Sequence, residues 1–220
     1  MDNLLAQINK SAIKFLAPLA PVTTYKIIVR EAVKLVDADY GSILLEQDGE
    51  LKRVYASIKM AYTTQNRKRG NTYRSFAEKK VIVAPIGELG PLHPELSKYG
   101  VKWTIFIPLS YQNKSIGVLT INTRKEEKLD KKQFTALKLY GTLASLAIIN
   151  TKALDETNKA LETRDLFISL ASHELKTPLT SINRYIQLLQ KKAKTIDTIP
   201  INIIDNLARE TNRLTSLVRE

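Results

Sequence analysis

His173 is the residue of this 220-residue chain best placed to do chemistry. Glu174 follows it directly, and Thr177 lies one helical turn further on. A neutral imidazole is a nucleophile toward phosphorus, and free histidine is mostly neutral at pH 7. A neighbouring carboxylate can accept a hydrogen bond from one ring nitrogen, which fixes the tautomer and leaves the other nitrogen to attack. The spacing therefore favours phosphoryl transfer through His173.

An apolar stripe lies opposite His173 on a helical wheel drawn at about 100° per residue. Its members are Ile168, Ala171, Leu175, Leu179, Ile182, Ile186 and Leu189. Because such a stripe is buried in a folded protein, we expect His173 to point into solvent with Thr177 beside it. Pro178 removes a backbone donor to the carbonyl of Glu174, which predicts a bend just after this turn.

The surrounding segment, FISLASHELKTPL at residues 167–179, resembles the H-box of histidine-kinase dimerisation and phosphoacceptor (HisKA) domains. Nine positions carry the match: Phe167, Ser172, His173, Glu174, Leu175, Lys176, Thr177, Pro178 and Leu179. The resemblance implies a two-component sensor histidine kinase. In such a protein His173 accepts a phosphoryl group from ATP and passes it to an aspartate of a response regulator. Glu174 then acts as general base, and Thr177 positions water when the regulator is dephosphorylated.

A second helix is predicted after the polar segment KKAKTIDTIPIN, which is typical of a connecting loop. Ile204, Leu207, Thr211, Leu214 and Val218 follow the spacing of a packed helix. Two such helices form a hairpin, and two hairpins form a dimeric four-helix bundle. Members of the family continue into an ATP-binding domain with asparagine- and glycine-rich boxes, which this chain lacks. We therefore expect a truncated kinase whose ATP and Mg bind to the missing domain; a phosphotransfer protein that borrows its phosphoryl group is the alternative.

The first part of the chain mixes strand and helix signals and holds all eight glycines, the last being Gly141. YGSILLEQ and LKRVYASIK flank Asp48-Gly49, which predicts a hairpin. VIVAPI predicts a short strand, and WTIFIPLSY and SIGVLTINTR predict a second hairpin. The predicted order is helix, two strands, helix, strand, strand pair, helix. This order indicates an α+β fold with an antiparallel sheet flanked by helices.

Residues 10–150 resemble a GAF domain, a small-molecule-sensing fold of signalling proteins. The resemblance rests on EAVKLVDADYGSILLEQDGELKRVYAS and on IFIPLSYQNKSIGVLTINTRKEEKLDKKQFTALKLYGTLASLAIINTKAL. We therefore divide the chain into a GAF-like sensor domain at 1–150, a coiled-coil linker at 151–165 and a truncated HisKA domain at 166–220. A GAF sensor or dimerisation module without kinase activity of its own is the alternative function.

The ligand of the GAF-like part cannot be identified from the sequence. The chain has no cysteine, which excludes a thiol-linked chromophore, so any small molecule must bind non-covalently. The candidate pocket aromatics are Tyr55, Tyr62, Tyr73, Phe76 and Trp103. Core packing is the alternative role for each of them.

A long helix is predicted from Asp130, which forms a capping-box pattern with Gln133. Only Pro178 interrupts helical geometry before about residue 189, a length that needs a partner helix to bury its apolar side. We therefore expect a parallel homodimer. Ala147, Leu154 and Leu161 recur every seven residues as a thin coiled-coil seam. A plain connector helix is the alternative.

The composition excludes several other function classes. Lys and Arg outnumber Asp and Glu by 34 to 22, but no nucleic-acid-binding motif accompanies the densest basic run, Arg67-Lys68-Arg69. A solvated basic face is expected there; an anionic ligand, acidic partner or membrane surface is the alternative. No stretch predicts a transmembrane helix or a secretory signal, so a cytoplasmic protein is expected. No metal site is expected, and His93, between two prolines, has no chemical context.

Overall fold

The computed structural model describes residues 2–17, 19–58, 70–85, 100–126, 129–194 and 201–219, and it divides the chain into two compact units, 1–156 and 157–220. The helices are α1 (Asp2–Leu16), α2 (Pro21–Leu35), α3 (Asn71–Glu78), α4 (Lys131–Lys194) and α5 (Ile201–Arg219). The strands are β1 (Tyr40–Gln47), β2 (Glu50–Ala56), β3 (Ile82–Pro85), β4 (Trp103–Tyr111) and β5 (Lys114–Thr123). The predicted α+β class and element order are confirmed. Tyr62, His93 and the run at 67–69 lie outside the described residues.

The five strands of the first unit form one antiparallel sheet with the order β2-β1-β5-β4-β3. Both predicted hairpins are present. Asp48 and Gly49 form the first turn with φ of 55° and 80°, and Gln112 and Asn113 form the second with φ of 45° and 65°. Two successive residues with positive φ give the tight turn whose twist matches that of the strands. Lys114, predicted as part of the second turn, is the first residue of β5.

The two faces of the sheet carry separate cores. On one face α1, α2 and the first part of α4 pack on alternate strand residues such as Ile43, Ile107 and Ile121. There the hydroxyl of Tyr140 donates to the Ile28 carbonyl at 2.7 Å, and the ring of Phe15 meets that of Tyr140 edge to face at 5.5 Å. The other face forms a smaller core, whose members are Leu44, Leu51, Ala84, Phe106 and Val118, with Tyr73, Phe76 and Ile82 beside them.

The candidate aromatics that the structure describes lie on both sides of the sheet, and most of them pack on its cores as the alternative role predicts. Tyr73 and Phe76 lie on the smaller core, and the hydroxyl of Tyr73 accepts a hydrogen bond from the backbone N–H of Leu51 at 3.1 Å. Tyr55 packs on the larger core, and Trp103 lines a cavity with Ile105 of that same core. Tyr73 and Phe76 belong to α3, which packs on one face of the sheet, whereas Tyr55 and Trp103 belong to strands and lie on the side of the other face.

The start of α4 is capped as predicted. The backbone N–H of Asp130 donates to Gln133 Oε1 at 3.0 Å, and the N–H of Gln133 donates to Asp130 Oδ1 at 2.6 Å. The predicted seam is wrong at Ala147, which is buried in the core of the first unit. Leu154 and Leu161, its other two members, are exposed in the single chain.

In the second unit, α5 presents a slightly different face from the one predicted. Ile203 is 9% exposed, whereas the predicted Ile204 is 51% exposed. Leu207 and Leu214 are partly buried, as the spacing predicts, and Thr211 is exposed. The segment predicted as a loop, residues 191–202, is helical at both ends, because one helix continues to Lys194 and the next begins at Ile201. Residues 195–200 and the side chain of Val218 lie outside the described set. The buried face therefore runs through 203, 207 and 214, because a four-residue step from 203 keeps it on one side of the helix.

A buried carboxylate ties α1 to α2. Glu31 Oε2 accepts hydrogen bonds from Lys14 Nζ at 2.8 Å and from Ser11 Oγ at 3.2 Å. Burial alone would raise the pKa of the Glu31 carboxyl, but the hydrogen bonds and the charge of Lys14 together hold that pKa below its ordinary value of 4.5. A carboxyl whose folded pKa is lowered stabilises the protein above its unfolded pKa, and this stability is lost as the pH falls through the folded value.

We predict that Glu31→Gln lowers the free energy of unfolding by about 1–2 kcal/mol at pH 7, because a charge-assisted bond across two helices is weakened. The difference from wild type should shrink as the pH falls below 4.5. Urea unfolding at several pH values measures it. Glu78→Gln, which removes an exposed pair with Arg74, should change the free energy by less than about 0.5 kcal/mol. If Glu31→Gln lowered the free energy of unfolding equally at pH 3 and pH 7, the stabilising role assigned to the Glu31 carboxylate would be wrong.

Candidate functional site

His173 projects into solvent from the middle of α4. Its side chain is 79% exposed, as the helical wheel predicts, and no element of its unit covers it. The hydroxyl of Thr177 donates to the carbonyl of His173 at 3.3 Å, so the two side chains lie one turn apart on the same side. Pro178 lies inside the helix, which continues through it to Lys194. The imidazole is therefore accessible to a second molecule in solution and is not buried.

Glu174 is the carboxylate nearest the imidazole. Its Oε1 lies 3.8 Å from His173 Nδ1, which is beyond hydrogen-bond distance but within reach of a small side-chain rotation. A bond formed there would keep the proton on Nδ1 and leave the lone pair of Nε2 facing solvent. The arrangement can therefore supply a nucleophilic nitrogen and a proton acceptor on opposite sides of one ring.

Arg213 is a member of this site that the sequence did not reveal. Its Nη2 on α5 lies 3.9 Å from Glu174 Oε2, so the carboxylate is placed between the imidazole and a guanidinium. Both partners are more than half exposed, and such a pair stabilises the fold by at most about 1 kcal/mol. The effect of the Arg213 guanidinium is to fix the position of the Glu174 carboxylate. No motif marks Arg213, because its proximity depends on how α5 is aligned with α4.

The apolar stripe opposite His173 is only partly covered by its own chain. Ala171, Leu175, Ile182 and Leu189 are partly buried, but Ile168, Leu179 and Ile186 are exposed. The expectation of a buried stripe is therefore not met within one chain. Exposed leucines and isoleucines at helical spacing form a surface that excludes water only when another apolar surface covers it.

Two further leucines, Leu166 and Leu170, are exposed on the same side of α4 as His173. On the helical wheel they fall within about 60° of the histidine, away from the stripe. When the apolar stripe of α4 packs against another surface, Leu166 and Leu170 remain exposed to solvent. A cluster of large apolar side chains beside a polar nucleophile is typical of a surface that a second protein domain contacts.

Among the residues that the structure describes, no group of three or more His, Cys, Asp or Glu side chains could hold a metal ion. In the same residues no helix combines the length and apolar character needed to cross a membrane. The chemistry of the site therefore rests on His173, Glu174 and Thr177, with Arg213 at the edge.

The fold and the site together define a sensor-type α+β unit followed by a helical unit that presents one histidine. The family model of the GAF domain matches residues 20–148, more than half of the chain, and that of the His Kinase A (phospho-acceptor) domain matches residues 163–220. The chain belongs to the GAF family and continues into a HisKA domain, which makes it a histidine-kinase-type protein of two-component signalling.

Solved structures share the fold of the first unit. The GAF domain of a phosphoenolpyruvate-protein phosphotransferase from Coxiella burnetii matches with a TM-score of 0.59 and 17% identity, over 69% of this chain and 95% of its own. The GAF domain of a protein named as a sensor histidine kinase from Pseudomonas syringae pv. tomato gives 0.53 and 16%, over 74% and 94%. Free methionine-R-sulfoxide reductase from Neisseria meningitidis, in complex with its substrate, gives 0.56 and 15%, over 66% and 88%. At sequence identities this low, the similarity shows a shared fold alone.

Proposed function

We propose that this chain is the sensor and phosphoacceptor part of a two-component histidine kinase, phosphorylated on His173. The observation that carries the proposal is an exposed imidazole in a HisKA domain, with a carboxylate 3.8 Å from its Nδ1. A structural histidine would be buried or bonded to neighbouring groups, and this one is neither covered by its unit nor part of a core.

The reaction begins with attack of the His173 Nε2 lone pair on the γ-phosphorus of ATP. An N–P bond forms while the bond from the γ-phosphorus to its bridging oxygen breaks, and ADP leaves with that electron pair. The ring would then carry a positive charge, so Nδ1 releases its proton to Glu174. Arg213 keeps the carboxylate close to the ring during this transfer. The phosphoryl group passes next to an aspartate of a response regulator: an O–P bond forms while the Nε2–P bond breaks, and Glu174 returns its proton to Nδ1, so that His173 is again neutral.

ATP and Mg²⁺ bind to a separate ATP-binding domain in this proposal. The described residues around His173 offer a single carboxylate and no acidic cluster, whereas Mg²⁺ in phosphoryl transfer is held by carboxylates together with phosphate oxygens. Leu166 and Leu170 are the apolar surface on which that domain, or the receiver domain of the regulator, would dock next to the nucleophile.

A parallel homodimer completes the helical unit in this proposal. The exposed members of the stripe gain burial only when a second copy covers them, and two helix pairs then form a four-helix bundle. The stripe lies opposite His173, so dimerisation leaves both histidines accessible. Residues 151–165 form the coiled-coil linker in the same assembly.

The first unit serves as a non-covalent small-molecule sensor in this proposal, and the protein works in the cytoplasm, without contact to nucleic acid. The absence of cysteine excludes a thiol-linked ligand, which is consistent with non-covalent binding. The second candidate function, a GAF module that dimerises without kinase activity, would use the same stripe. It would have no use for a nucleophile and a carboxylate presented together in solvent.

We predict that Ile168→Asp converts the dimer into a monomer, because the substitution places a charge in the apolar contact. Light scattering at micromolar concentration measures the mass. Leu166→Asp is the matched control, since Leu166 is equally exposed but lies on the His173 side and should leave the dimer intact. A wild-type chain that scatters as a monomer would contradict the prediction.

We predict that the chain is labelled by radioactive ATP only when an ATP-binding domain of this kinase class is supplied, and that His173→Gln abolishes the label. Glu174→Ala should slow labelling by about a hundredfold, because the proton acceptor is lost. Glu162→Ala, an exposed carboxylate on the same helix, should not slow it. The label should disappear in acid, since phosphohistidine hydrolyses there. Label that survives acid, or that persists in His173→Gln, would show that the acceptor is another residue.

We predict that Thr177→Ala leaves labelling of His173 unchanged but slows dephosphorylation of the regulator by about tenfold, the effect of one lost hydrogen bond to water. Thr180→Ala is the matched control, because its hydroxyl also donates to the carbonyl four residues back, at 2.7 Å. Release of phosphate from the labelled regulator is the measurement. Equal slowing in both variants would indicate a change in the helix rather than a role for the Thr177 hydroxyl.

A further inference from the structure

A cavity of about 270 Å³ opens at one end of the sheet, on the side of the larger core. It lies where the end of α2, the strands β3 and β4, and the segment before α4 come together within the first unit. Sites for drug-sized ligands begin at about 300 Å³, so this volume suits a small metabolite rather than a nucleotide.

One wall of the cavity is apolar and includes the indole of Trp103. Val83, Ile105 and Leu129 line it as well. The indole is fixed in place, since its Nε1 donates to the backbone carbonyl of Glu126 at 3.3 Å. A rigid aromatic face beside aliphatic side chains binds an apolar group of a ligand and contributes little polar attraction.

The polar part of the lining includes Thr123 and Gln133, and its charged groups are the ion pair between Lys125 and Asp37. The Lys125 side chain is 49% exposed and that of Asp37 86%, so opening the pair costs at most about 1 kcal/mol. A ligand that brings one positive and one negative group can replace the pair without leaving either charge unsatisfied. Simple acids or amines would compensate only one of the two charges.

Asp37 occupies a backbone position that suits glycine. Its φ is 50°, and the bonds from Asp37 N to the Lys34 carbonyl and from Ala38 N to the Val33 carbonyl end α2 in the usual left-handed turn. Aspartate and asparagine tolerate this conformation better than other residues with a side chain. Replacement of Asp37 by asparagine therefore removes the charge and keeps the turn.

We propose that this cavity binds a free amino acid with an apolar side chain. Its carboxylate would bind Lys125 and its ammonium group Asp37, while its side chain lies against Trp103 and Leu129. The inference rests on the proposal that the first unit senses a non-covalent small molecule, and it is independent of phosphotransfer at His173.

Trp103 is the only tryptophan of the chain, so its fluorescence reports on this cavity alone. Titration of the full chain with L-leucine or L-phenylalanine should change the emission to saturation and raise the melting temperature. Two analogues of leucine isolate the charges: 4-methylpentanoate lacks the ammonium group, and 3-methylbutylamine lacks the carboxylate. Each should bind at least about tenfold more weakly than L-leucine, which corresponds to one lost charge-assisted contact.

Lys125→Met and Asp37→Asn should each weaken binding of L-leucine by at least about tenfold without lowering the melting temperature of the free chain. Lys52→Met is the matched control, because Lys52 is as exposed as Lys125 and forms a similar pair with Asp48 away from the cavity. It should bind like wild type. Binding that survives both cavity variants would overturn the site, and equal affinity for 4-methylpentanoate would overturn the ligand class.

Failure of the wider sensor proposal has a different outcome. In that case no metabolite of a broad panel, amino acids included, would shift the melting temperature, and the emission of Trp103 would stay constant throughout. A panel that finds a stabilising compound of another class, still bound by Lys125→Met, would keep the sensor and overturn the amino-acid site. Labelling of His173 in the presence of an ATP-binding domain is unaffected by either result.

Discussion

The burial of helix α4 against the sheet is the constraint on which the rest of the molecule depends. Leu137, Tyr140 and Ala144 are fully buried there, and Gly141 lets the helix approach β4 where a Cβ would lie 2.9 Å from the Pro108 carbonyl oxygen. The same helix continues to Lys194 and carries His173. Beyond residue 151, Pro178 is the only buried residue among its described side chains. A helix so exposed gains its stability from neighbouring helices, which is why the proposed function includes a second copy beside α5.

The exposure of His173 decides how catalysis can work. Electrostatic groups accelerate phosphoryl transfer most when water is excluded, and nothing in the described residues of its unit covers the imidazole. Glu174 and Arg213 can orient the ring and accept its proton, but they cannot provide a dry site. In the proposed function, the domain that docks at His173 would exclude this water, and the exposed Leu166 and Leu170 would give it an apolar surface to do so. The same proposal places the nucleophile on this chain and the binding of ATP on the docking domain.

Local signals in the sequence were sufficient to predict most of the elements and the exposure of His173. The Asp130–Gln133 cap, the turn at Asp48 and the exposure of His173 each depend on neighbours within a few residues, and the structure contains all three. The misses depend on alignment between elements. Ile203 rather than Ile204 is buried on α5, and Tyr73 on α3 lies against the face of the sheet opposite to the cavity of Trp103. Arg213 joined the site through the alignment of two helices, which no local pattern encodes.

The beginning of α4 also lines the cavity beside Trp103. This contact limits the free energy by which a ligand in the cavity could shift the state of α4. Gln133 lines the cavity, and its Oε1 accepts the Asp130 N–H that completes the cap. A cap of this kind contributes about 0.5–2 kcal/mol to the helix. A ligand can shift the state of α4 only by the difference between its affinities for the capped and uncapped forms. A ligand that competes for the Gln133 amide can therefore change the free energy of the capped form of α4 by at most about 2 kcal/mol. Coupling free energies in allosteric proteins are typically about 1–3 kcal/mol. A ligand at this position needs no large rearrangement of the sheet to act, because the group it contacts already belongs to the helix that carries His173.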